Sequence, residues 1–345
     1  MGILDIITVV IFSVAVLATG ISLSKSGKDL KGFFGGGGNI PWAMSGLSLF
    51  MGFFSAGTFV VWGSIAYSCG LTAIIIQLTM AVAGFAVGTF IAPRWHRTGA
   101  LTAAEYITAS FGQATQKTYT YLFLAVSVFT SGSFLYPVAK ILEVAAGVPL
   151  TASILALGLF CIIYTSLGGL RGVMVTDVLQ FVILFTAVII AVPLSFGKVG
   201  GVQEFFARVP EGFFRCFSGE YTPWFIFAFC LYNAVFIGGN WSYVQRYTSV
   251  RTERDAQKVG WLFGALYLIS PVLWMLPPMI YRVYNPGLSG LENENAYLLM
   301  CREALPNGLL GLMLGGMIFA TASSLNGTLN ISAGVFTNDI YKRLR

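Results

Sequence analysis

Residues 48–71 read SLFMGFFSAGTFVVWGSIAYSCGL, an apolar run that is long enough to cross a lipid bilayer but is interrupted near its middle. Gly52, Ser55, Gly57 and Thr58 lie at the interruption, where small and hydroxyl-bearing residues permit a helix to unwind. An unwound segment exposes backbone carbonyl oxygens, and it persists at membrane depth only where these oxygens line a cavity or bind an ion. The alternative is close packing between helices, which also uses small residues. This stretch alone leaves both interpretations open.

The composition of the chain indicates an integral membrane protein. Charged residues make up 10% of it and apolar residues 56%, whereas about a quarter of an ordinary soluble domain is charged. The apolar residues form about nine runs, at 4–23, 41–67, 71–93, 119–145, 150–167, 175–195, 222–242, 257–281 and 306–334. These runs are too long and too uniformly apolar for the alternating strands of a barrel. The sequence therefore predicts an all-α membrane protein with about nine transmembrane helices.

The distribution of basic residues predicts the orientation. The acidic residue Asp5 lies at the start of the first run, and no basic residue precedes the run. We therefore interpret this run as a retained helix with its N-terminus outside. Nine crossings from there place 14 of the 20 Lys and Arg residues in cytoplasmic segments, in agreement with the positive-inside rule. These are Lys25, Lys28, Lys31, Arg94, Arg97, Lys117, Arg171, Arg246, Arg251, Arg254, Lys258, Lys342, Arg343 and Arg345. We expect a plasma-membrane protein with a cytoplasmic C-terminus, whose net charge of +6 faces anionic lipid and not nucleic acid.

Sites for soft metals, phosphate or nucleophilic catalysis are disfavoured. The five cysteines form no C-x-x-C pair and His96 is the lone histidine, although the cysteines near the outer face leave one disulfide open. The glycines at 35–38 follow no strand and are better interpreted as a flexible link between helices than as a phosphate cradle. No G-x-S-x-G elbow is present, so a membrane enzyme is a weak alternative.

Polar residues at membrane depth point instead to an ion. Asp177 lies about a turn inside the cytoplasmic end of the sixth run, and a carboxylate there is costly unless a positive charge visits it. Ser323 and Ser324 lie on the last run, in the stretch FATASSLNGTLN at 319–330. Together with the carbonyl oxygens of an unwound second helix, these groups are the hard oxygen ligands that a cation such as Na⁺ prefers.

Three stretches resemble a known family. They are YTSLGGLRGVMVTDVLQFVIL at 164–184, NWSYVQRYTSVRTERDAQKVG at 240–260 and GLMLGGMIFATASSLNGTLNISAGVFTNDIYKR at 311–343. In combination they look like the sodium/solute symporter family, whose members use the leucine-transporter fold with one extra N-terminal helix. The resemblance implies a secondary transporter that couples Na⁺ to the uptake of a small solute by alternating access.

The resemblance also implies the site residues. Its sodium site would use the backbone oxygens of Met51, Phe54 and Ala320 and the hydroxyls of Ser323 and Ser324, with Asp177 along the cytoplasmic exit of the ion. Its solute cavity, between the broken second run and its pseudo-symmetric partner, the seventh, would be lined by Ser55, Gly57, Thr58, Gln77, Thr130, Asn233, Phe236 and Tyr267. Asn326 and Gly327 replace a further hydroxyl pair that some members carry, which favours one sodium ion. Because only Asn233 keeps the residue of the sugar-carrying branch, we expect an uncharged or zwitterionic solute, with a sugar or polyol favoured.

The domain organisation follows from the same resemblance. Residues 1–345 would form one transporter domain, with an extra N-terminal helix at 4–23, a first five-helix repeat at 41–195 and a partial second repeat at 222–345. Since only three helices of the second repeat are present, we expect a fragment of a longer transporter. Two alternatives remain: a transporter-like sensor domain of a signalling protein, and a channel- or pump-like conductor, which scattered polar residues disfavour.

Overall fold

The computed structural model describes residues 2–23, 36–100 and 102–341, and these are almost entirely helical, with no strand among them. The helices are α1 Ile3–Leu23, α2 Trp42–Phe53, α3 Thr58–Cys69, α4 Leu71–Phe90, α5 Ala92–Thr98, α6 Ala103–Ala146, α7 Leu150–Lys198, α8 Val202–Arg208, α9 Pro223–Gly239, α10 Trp241–Thr248, α11 Glu253–Tyr284, α12 Ala296–Ala304 and α13 Leu309–Val335. The first turn of α3, Thr58–Trp62, is a π-helix. The basic residues predicted at 25–31 and 342–345 lie outside the described residues.

The predicted all-α membrane fold is confirmed. By length and composition, five of the described helices can cross a membrane, or up to seven if each of two bent pairs counts as one span. Two shorter apolar helical segments, Ile3–Thr19 and Leu150–Ile163, correspond to the first and fifth predicted runs. The runs predicted at 150–167 and 175–195 are continuous in α7, with a break at Gly169, whose φ of 54° requires glycine. The helix predicted from 119 begins earlier, at Ala103, because α6 continues through a similar break at Gly112.

Two helices are broken inside the bundle. The second predicted run is the pair α2 and α3, whose axes are bent by 63° with residues 54–57 between them. The seventh run is the pair α9 and α10, bent by 58° at Asn240. The Asn240 side chain caps α10 by accepting a hydrogen bond from the backbone N–H of Ser242 at 2.9 Å. Breaks of this kind place helix ends, with their free backbone groups, at membrane depth.

Glycines hold α4 and α11 in backbone contact. Each helix carries two glycines four residues apart, Gly84 and Gly88 on α4 and Gly260 and Gly264 on α11. A Cβ atom added to Gly260 would lie 2.4 Å from the Cα atom of Gly88, and one added to Gly84 would lie 3.0 Å from the Cα atom of Gly264. Small residues at this spacing let two membrane helices approach closely, so this crossing fixes α4 on α11.

Helix α1 docks on the start of α13. The Asp5 carboxylate, which is fully buried, accepts hydrogen bonds from the backbone N–H groups of Gly308 at 2.6 Å and Gly311 at 2.9 Å. These are free N–H groups at the N-terminus of α13, where a negative charge is also favourable. Phe12 of α1 packs edge-on against Phe319 of α13, with ring centroids 4.7 Å apart. The first helix is therefore joined to the helix that carries Ser323 and Ser324.

Contacts at the two ends of the bundle agree with the predicted alternation of sides. At one end, Arg97 forms an ion pair with Glu253 at 2.7 Å, and the backbone of Ile40 pairs with that of Val250. At the other end, the Tyr67 hydroxyl donates to the backbone oxygen of Asn285 at 2.7 Å. There Lys140 also forms an ion pair with Glu294 at 2.6 Å. Segments predicted on one side of the membrane thus contact one another, while the assignment of one end to the cytoplasm stays a prediction.

Candidate functional site

The break between α2 and α3 presents backbone oxygens to α13. The Ser324 hydroxyl lies 3.0 Å from the carbonyl oxygen of Gly52 and 3.0 Å from that of Phe54. On the previous turn of α13, the Thr321 hydroxyl accepts a hydrogen bond from the backbone N–H of Ala56 at 2.6 Å. The backbone groups freed by the break are therefore satisfied by hydroxyls of one neighbouring helix, as membrane burial requires.

Asp177 of α7 lies beside this contact and is fully buried. One carboxylate oxygen accepts a hydrogen bond from the Ser323 hydroxyl at 2.5 Å, and the other accepts one from the Ser48 hydroxyl at 2.5 Å. Asp177 thus connects three helices, since Ser48 lies on α2 and Ser323 on α13. Charge-assisted hydrogen bonds of this kind are about twice as strong as neutral ones, which favours a fixed carboxylate at the site.

Arg246 of α10 supplies the positive charge that balances Asp177. Its Nη2 atom lies 3.9 Å from the carboxylate, its Nε atom donates to the Ser48 hydroxyl at 3.2 Å, and its Nη1 atom donates to the backbone oxygen of Ser242 at 2.5 Å. Arg246 was predicted among the exposed cytoplasmic charges that face anionic lipid, and this exposure was wrong because the residue is 1% exposed. Its helix follows the break at Asn240, and a charge that enters the protein interior requires a partner such as Asp177.

The structure brings together most of the predicted sodium residues. Ser323, Ser324 and Asp177 lie in one cluster with the carbonyl oxygen of Phe54, and Ala320 is fully buried one turn before Ser324. The carbonyl oxygen of Met51 accepts the N–H of Phe54 at 3.0 Å and closes the last turn of α2. Sequence reasoning missed the carbonyl oxygen of Gly52 and the side chains of Ser48, Thr321 and Arg246. Of these, Arg246 could have been recognised from the sequence, because Gln245 and Arg246 lie in the stretch 240–260 that resembles the family.

The ligand atoms of this cluster are hard oxygens. They are backbone carbonyl, hydroxyl and carboxylate oxygens, which suit an alkali or alkaline-earth cation. Over the residues that the structure describes, no three His, Cys, Asp or Glu side chains gather as a transition-metal site would require. In this arrangement the Ser324 hydroxyl points its proton at a carbonyl oxygen. To coordinate a cation, the hydroxyl would rotate and present a lone pair, which also releases the carbonyl oxygens.

The predicted solute residues divide into two groups. Gln77 and Asn233 are 3% and 0% exposed, and the Asn233 amide donates to the Thr79 hydroxyl at 2.9 Å. Among the residues that the structure describes, the Oδ1 atom of Asn233 and the Nε2 atom of Gln77 have no hydrogen-bond partner, which is costly for buried amides. Tyr267 is buried against Phe50 and Phe263, with ring centroids 5.0 Å and 4.7 Å away. Around the break, the hydroxyl of Thr58 accepts a hydrogen bond from the backbone N–H of Ser55 at 3.3 Å, and Gly57 lies directly before Thr58 at the start of α3.

The second group lines a cleft between α6 and α9. Thr130 of α6 and Phe236 of α9 share this α6–α9 cleft with Thr328 of α13, and its narrow inner part, about 40 Å³, reaches Ser323 and Ser324. Arg246 also lines this inner part. Phe236 packs against Phe53 and Tyr243, with ring centroids 5.8 Å and 5.6 Å away. Thr130 and Phe236 are therefore close to the candidate ion residues, while Gln77, Asn233 and Tyr267 are buried on α4, α9 and α11.

A family model confirms the resemblance seen in the sequence. The model described as "Sodium:solute symporter family" matches residues 33–345. The chain belongs to this family. Its similar relatives include the sodium/glucose cotransporter of Vibrio parahaemolyticus, 28% identical over 98% of the chain, and the sodium/sialic acid symporter SiaT of Proteus mirabilis (strain HI4320), 27% identical over 96%. Sodium/myo-inositol cotransporter 2 of Bos taurus is 27% identical over 99% of the chain.

A solved member of the family has the same fold. A structure of a Na⁺-coupled sialic acid symporter in a substrate-bound outward-open state matches all of the chain and 76% of its own, with a TM-score of 0.88 and 25% identity. The chain spans 69% of the two bacterial relatives and 57% of the bovine one.

Family membership confirms several of the predictions. The protein is a multi-pass membrane transporter and not an enzyme, and sodium is its coupling ion. The alternative of a sensor domain has no support from these relatives.

Proposed function

We propose that the protein imports a small, uncharged or zwitterionic solute together with one sodium ion, by alternating access. The observation that carries this proposal is the contact between Ser324 and the two carbonyl oxygens of the broken helix. It supports a sodium ion held between α2 and α13 by the carbonyl oxygens of Met51, Phe54 and Ala320 and the hydroxyls of Ser323 and Ser324. Gly52 is added to this set because its carbonyl oxygen faces the same hydroxyl.

Asp177 is proposed as the charge that keeps this site attractive for cations. Its hydrogen bond to Ser323 holds one proposed ligand, while Arg246 balances the charge when the site is empty. Arrival of a sodium ion adds a positive charge near Arg246. As the ion moves from the carbonyl oxygens toward the cytoplasm, it competes with Arg246 for the Asp177 carboxylate, so the ion pair between Asp177 and Arg246 weakens. This supports an exit of the ion past Asp177.

The proposed solute contacts are neutral. Gln77, Asn233 and Tyr267 contribute amides and a phenol, and the unpaired amide atoms of the first two are suited to hydroxyl groups of a solute. The relatives are named for glucose, sialic acid and myo-inositol, which are all polyhydroxylated. A sugar or polyol is thus favoured, and Ser55, Gly57, Thr58, Thr130 and Phe236 are proposed to complete its binding site.

The proposed direction follows from charge and access. The α6–α9 cleft is lined by Tyr119 and Trp241, which lie near the end of the bundle that the positive-inside rule assigns to the cytoplasm. At the other end, the Lys140–Glu294 ion pair joins α6 to the segment before α12. We propose a plasma-membrane protein with its N-terminus outside and its C-terminus in the cytoplasm. The broken pairs α2–α3 and α9–α10 support the proposed repeats at 41–195 and 222–345, since each repeat would contribute one broken helix.

Sodium coupling sets the expected accumulation. One Na⁺ that crosses a potential of 100 mV supplies about 2.3 kcal/mol, and a tenfold sodium gradient adds about 1.4 kcal/mol. Together they support roughly 500-fold accumulation of the solute at one-to-one stoichiometry.

Uptake in proteoliposomes tests the proposal. The full-length protein is offered labelled glucose, myo-inositol and sialic acid under an inward sodium gradient, with the potential varied. We expect uptake of at least one polyol to require sodium and to increase with an inside-negative potential. Equal uptake when choline replaces sodium would contradict sodium coupling, whereas sodium-dependent uptake of none of the three would contradict the solute class alone.

A further inference from the structure

A cleft rich in arginine lies at the end of the α4–α11 crossing, away from the candidate ion site. Arg94 and Arg97 of α5 and Arg254 of α11 line it together with Glu253, and its volume is about 440 Å³. We call it the arginine cleft. Three guanidinium groups and one carboxylate give it a local excess of positive charge, which an anionic ligand would neutralise.

Two of the three guanidinium groups have no partner of their own within residues 2–23, 36–100 and 102–341. Arg97 is engaged by Glu253 through an ion pair of 2.7 Å. Arg94 and Arg254 are exposed, and neither forms a hydrogen bond or ion pair with any other residue that the structure describes. Guanidinium groups bind phosphate oxygens through two parallel hydrogen bonds, so a phosphate monoanion or diester suits this pair.

The surroundings of the cleft indicate which phosphate would bind. Phe90 also lines the arginine cleft and is 62% exposed, and Trp261 of α11 is 44% exposed one turn after the cleft residues. The Trp261 indole N–H donates to the Thr89 hydroxyl at 3.0 Å, which holds the ring at the edge of the helix pair. Tryptophan is enriched where lipid headgroups meet the hydrocarbon region. The cleft therefore continues into an apolar surface that can take an acyl chain.

Backbone contact between the two helices fixes the cleft in shape. A Cβ atom added to Gly88 would lie 3.0 Å from the backbone oxygen of Gln257, a cleft residue of α11. Because α4 and α11 cannot separate at this point without losing the glycine contact, the arginines that follow Gly88 and precede Gly260 keep their spacing. A preformed site binds with a smaller entropic cost than a mobile loop.

From this geometry we infer that the arginine cleft binds the phosphate headgroup of an anionic phospholipid, with an acyl chain along Phe90 and Trp261. The site is separate from sodium and solute binding and does not depend on the identity of the solute. On the predicted orientation it faces the cytoplasmic leaflet, where anionic lipids attract basic residues by about 1 kcal/mol each.

Native mass spectrometry of the full-length protein in detergent tests the inference. Dioleoyl phosphatidylglycerol is titrated against the protein and against the double variant Arg94→Gln/Arg254→Gln. The matched control is Lys117→Gln/Arg171→Gln, which removes two exposed charges from the same predicted face but outside the cleft. We expect the cleft variant to bind phosphatidylglycerol about 30-fold more weakly, which is the loss of two such contacts, and the control to bind as the wild type does.

Three further outcomes decide the test. Equal weakening in both double variants would overturn the inference in favour of diffuse surface charge. Phosphatidylcholine that binds as tightly as phosphatidylglycerol would exclude recognition of headgroup charge, and displacement of the lipid by inorganic phosphate would identify a free anion as the ligand. If the double variant fails to fold, Glu253→Gln provides the opposite test, because removal of the competing carboxylate should strengthen phosphatidylglycerol binding about fivefold.

Discussion

The most apolar parts of helices α6 and α13 have nearly the same mean hydropathy, yet one is exposed and the other is buried. In the most apolar part of each, 17% of the residues of α6 and 89% of those of α13 are buried. Both helices carry several serines and threonines. The hydroxyls of α6 donate to backbone oxygens of their own helix, as Thr118 does to Ala114 and Ser131 to Ser127.

The hydroxyls of α13 near the break behave differently. Ser323 and Ser324 donate to Asp177 and to the broken helix. The Thr321 hydroxyl donates to the backbone oxygen of Met317 in its own helix and also accepts a hydrogen bond from the backbone N–H of Ala56. Further along α13, the hydroxyls of Thr328 and Ser332 donate to backbone oxygens of their own helix. A hydroxyl in a membrane helix therefore indicates a candidate site only where it forms a hydrogen bond with a residue of another helix.

The largest effect should come from the buried charge pair that faces α13. Arg246→Met leaves the Asp177 carboxylate buried without its counter-charge, which typically costs about 3–5 kcal/mol. We expect a large decrease in thermal stability in detergent without sodium, while Lys117→Met on exposed α6 should change it little. The double variant Asp177→Asn/Arg246→Met should recover most of the loss. Additive losses in the double variant would show that the two residues do not interact.

The next largest effect should appear in sodium affinity. Ser323→Ala and Ser324→Ala each remove one proposed oxygen ligand, so sodium binding should weaken by about 1–3 kcal/mol. Binding of radioactive sodium by the purified full-length protein measures this directly. Because sodium and solute binding are linked, solute affinity at fixed sodium should also fall and should recover when sodium is raised.

The matched control for these serines is Ser131→Ala on α6, whose hydroxyl bonds only its own helix. It should leave the half-saturating sodium concentration unchanged. Alanine is as small as serine and forms helices better. If the three serines served packing alone, none of the substitutions would change sodium binding. Unchanged sodium binding in both α13 variants would show that the hydroxyls of Ser323 and Ser324 do not bind sodium and serve only packing.

A smaller and more selective effect is expected at Asn233. Asn233→Ala removes an amide whose oxygen is unpaired in the structure, so solute binding should weaken by the value of one neutral hydrogen bond, about 0.5–1.5 kcal/mol. Sodium binding without solute should stay nearly intact. The measurement is the half-saturating concentration of whichever polyol supports sodium-dependent uptake, with sodium binding recorded in parallel. Normal solute affinity in this variant would place the solute elsewhere.

The smallest effect should come from α6 itself. The Ser133 hydroxyl donates to the backbone oxygen of Thr130 at 2.8 Å, and its side chain is exposed. Ser133→Ala should therefore change stability by no more than about 0.5 kcal/mol and leave uptake unaffected. A clear loss of uptake would mean that self-satisfied hydroxyls on α6 also serve transport.

The sequence predicted those parts of the candidate site in which small or polar residues interrupt an apolar run. The small residues at 52–58 located the break, and Asp177, Ser323 and Ser324 were identified because polar groups in lipid need partners. The glycine contact between α4 and α11 was not predicted, although the glycines of each helix have the four-residue spacing that lets membrane helices approach closely.

Other features could not be predicted because they depend on how distant segments meet. The positive-inside rule assigns Arg246 by its position along the chain, but the bend at Asn240 leaves its side chain among buried groups. The hydrogen bond of Ser48 to Asp177 joins residues 129 positions apart, and no local pattern encodes it. The proposed sodium and solute residues remain predictions for the experiments above.

The carboxylate of Asp5 has a consequence for how the chain is made. Its hydrogen-bond donor Gly308 follows it by 303 residues. At about 5–20 residues per second, the ribosome needs about 15–60 s to reach that partner. During this time α1 has no helix to dock on, so its acidic end must wait where water can solvate it. An acid at the very start of the helix meets that requirement, whereas one placed at its centre would have to wait in hydrocarbon.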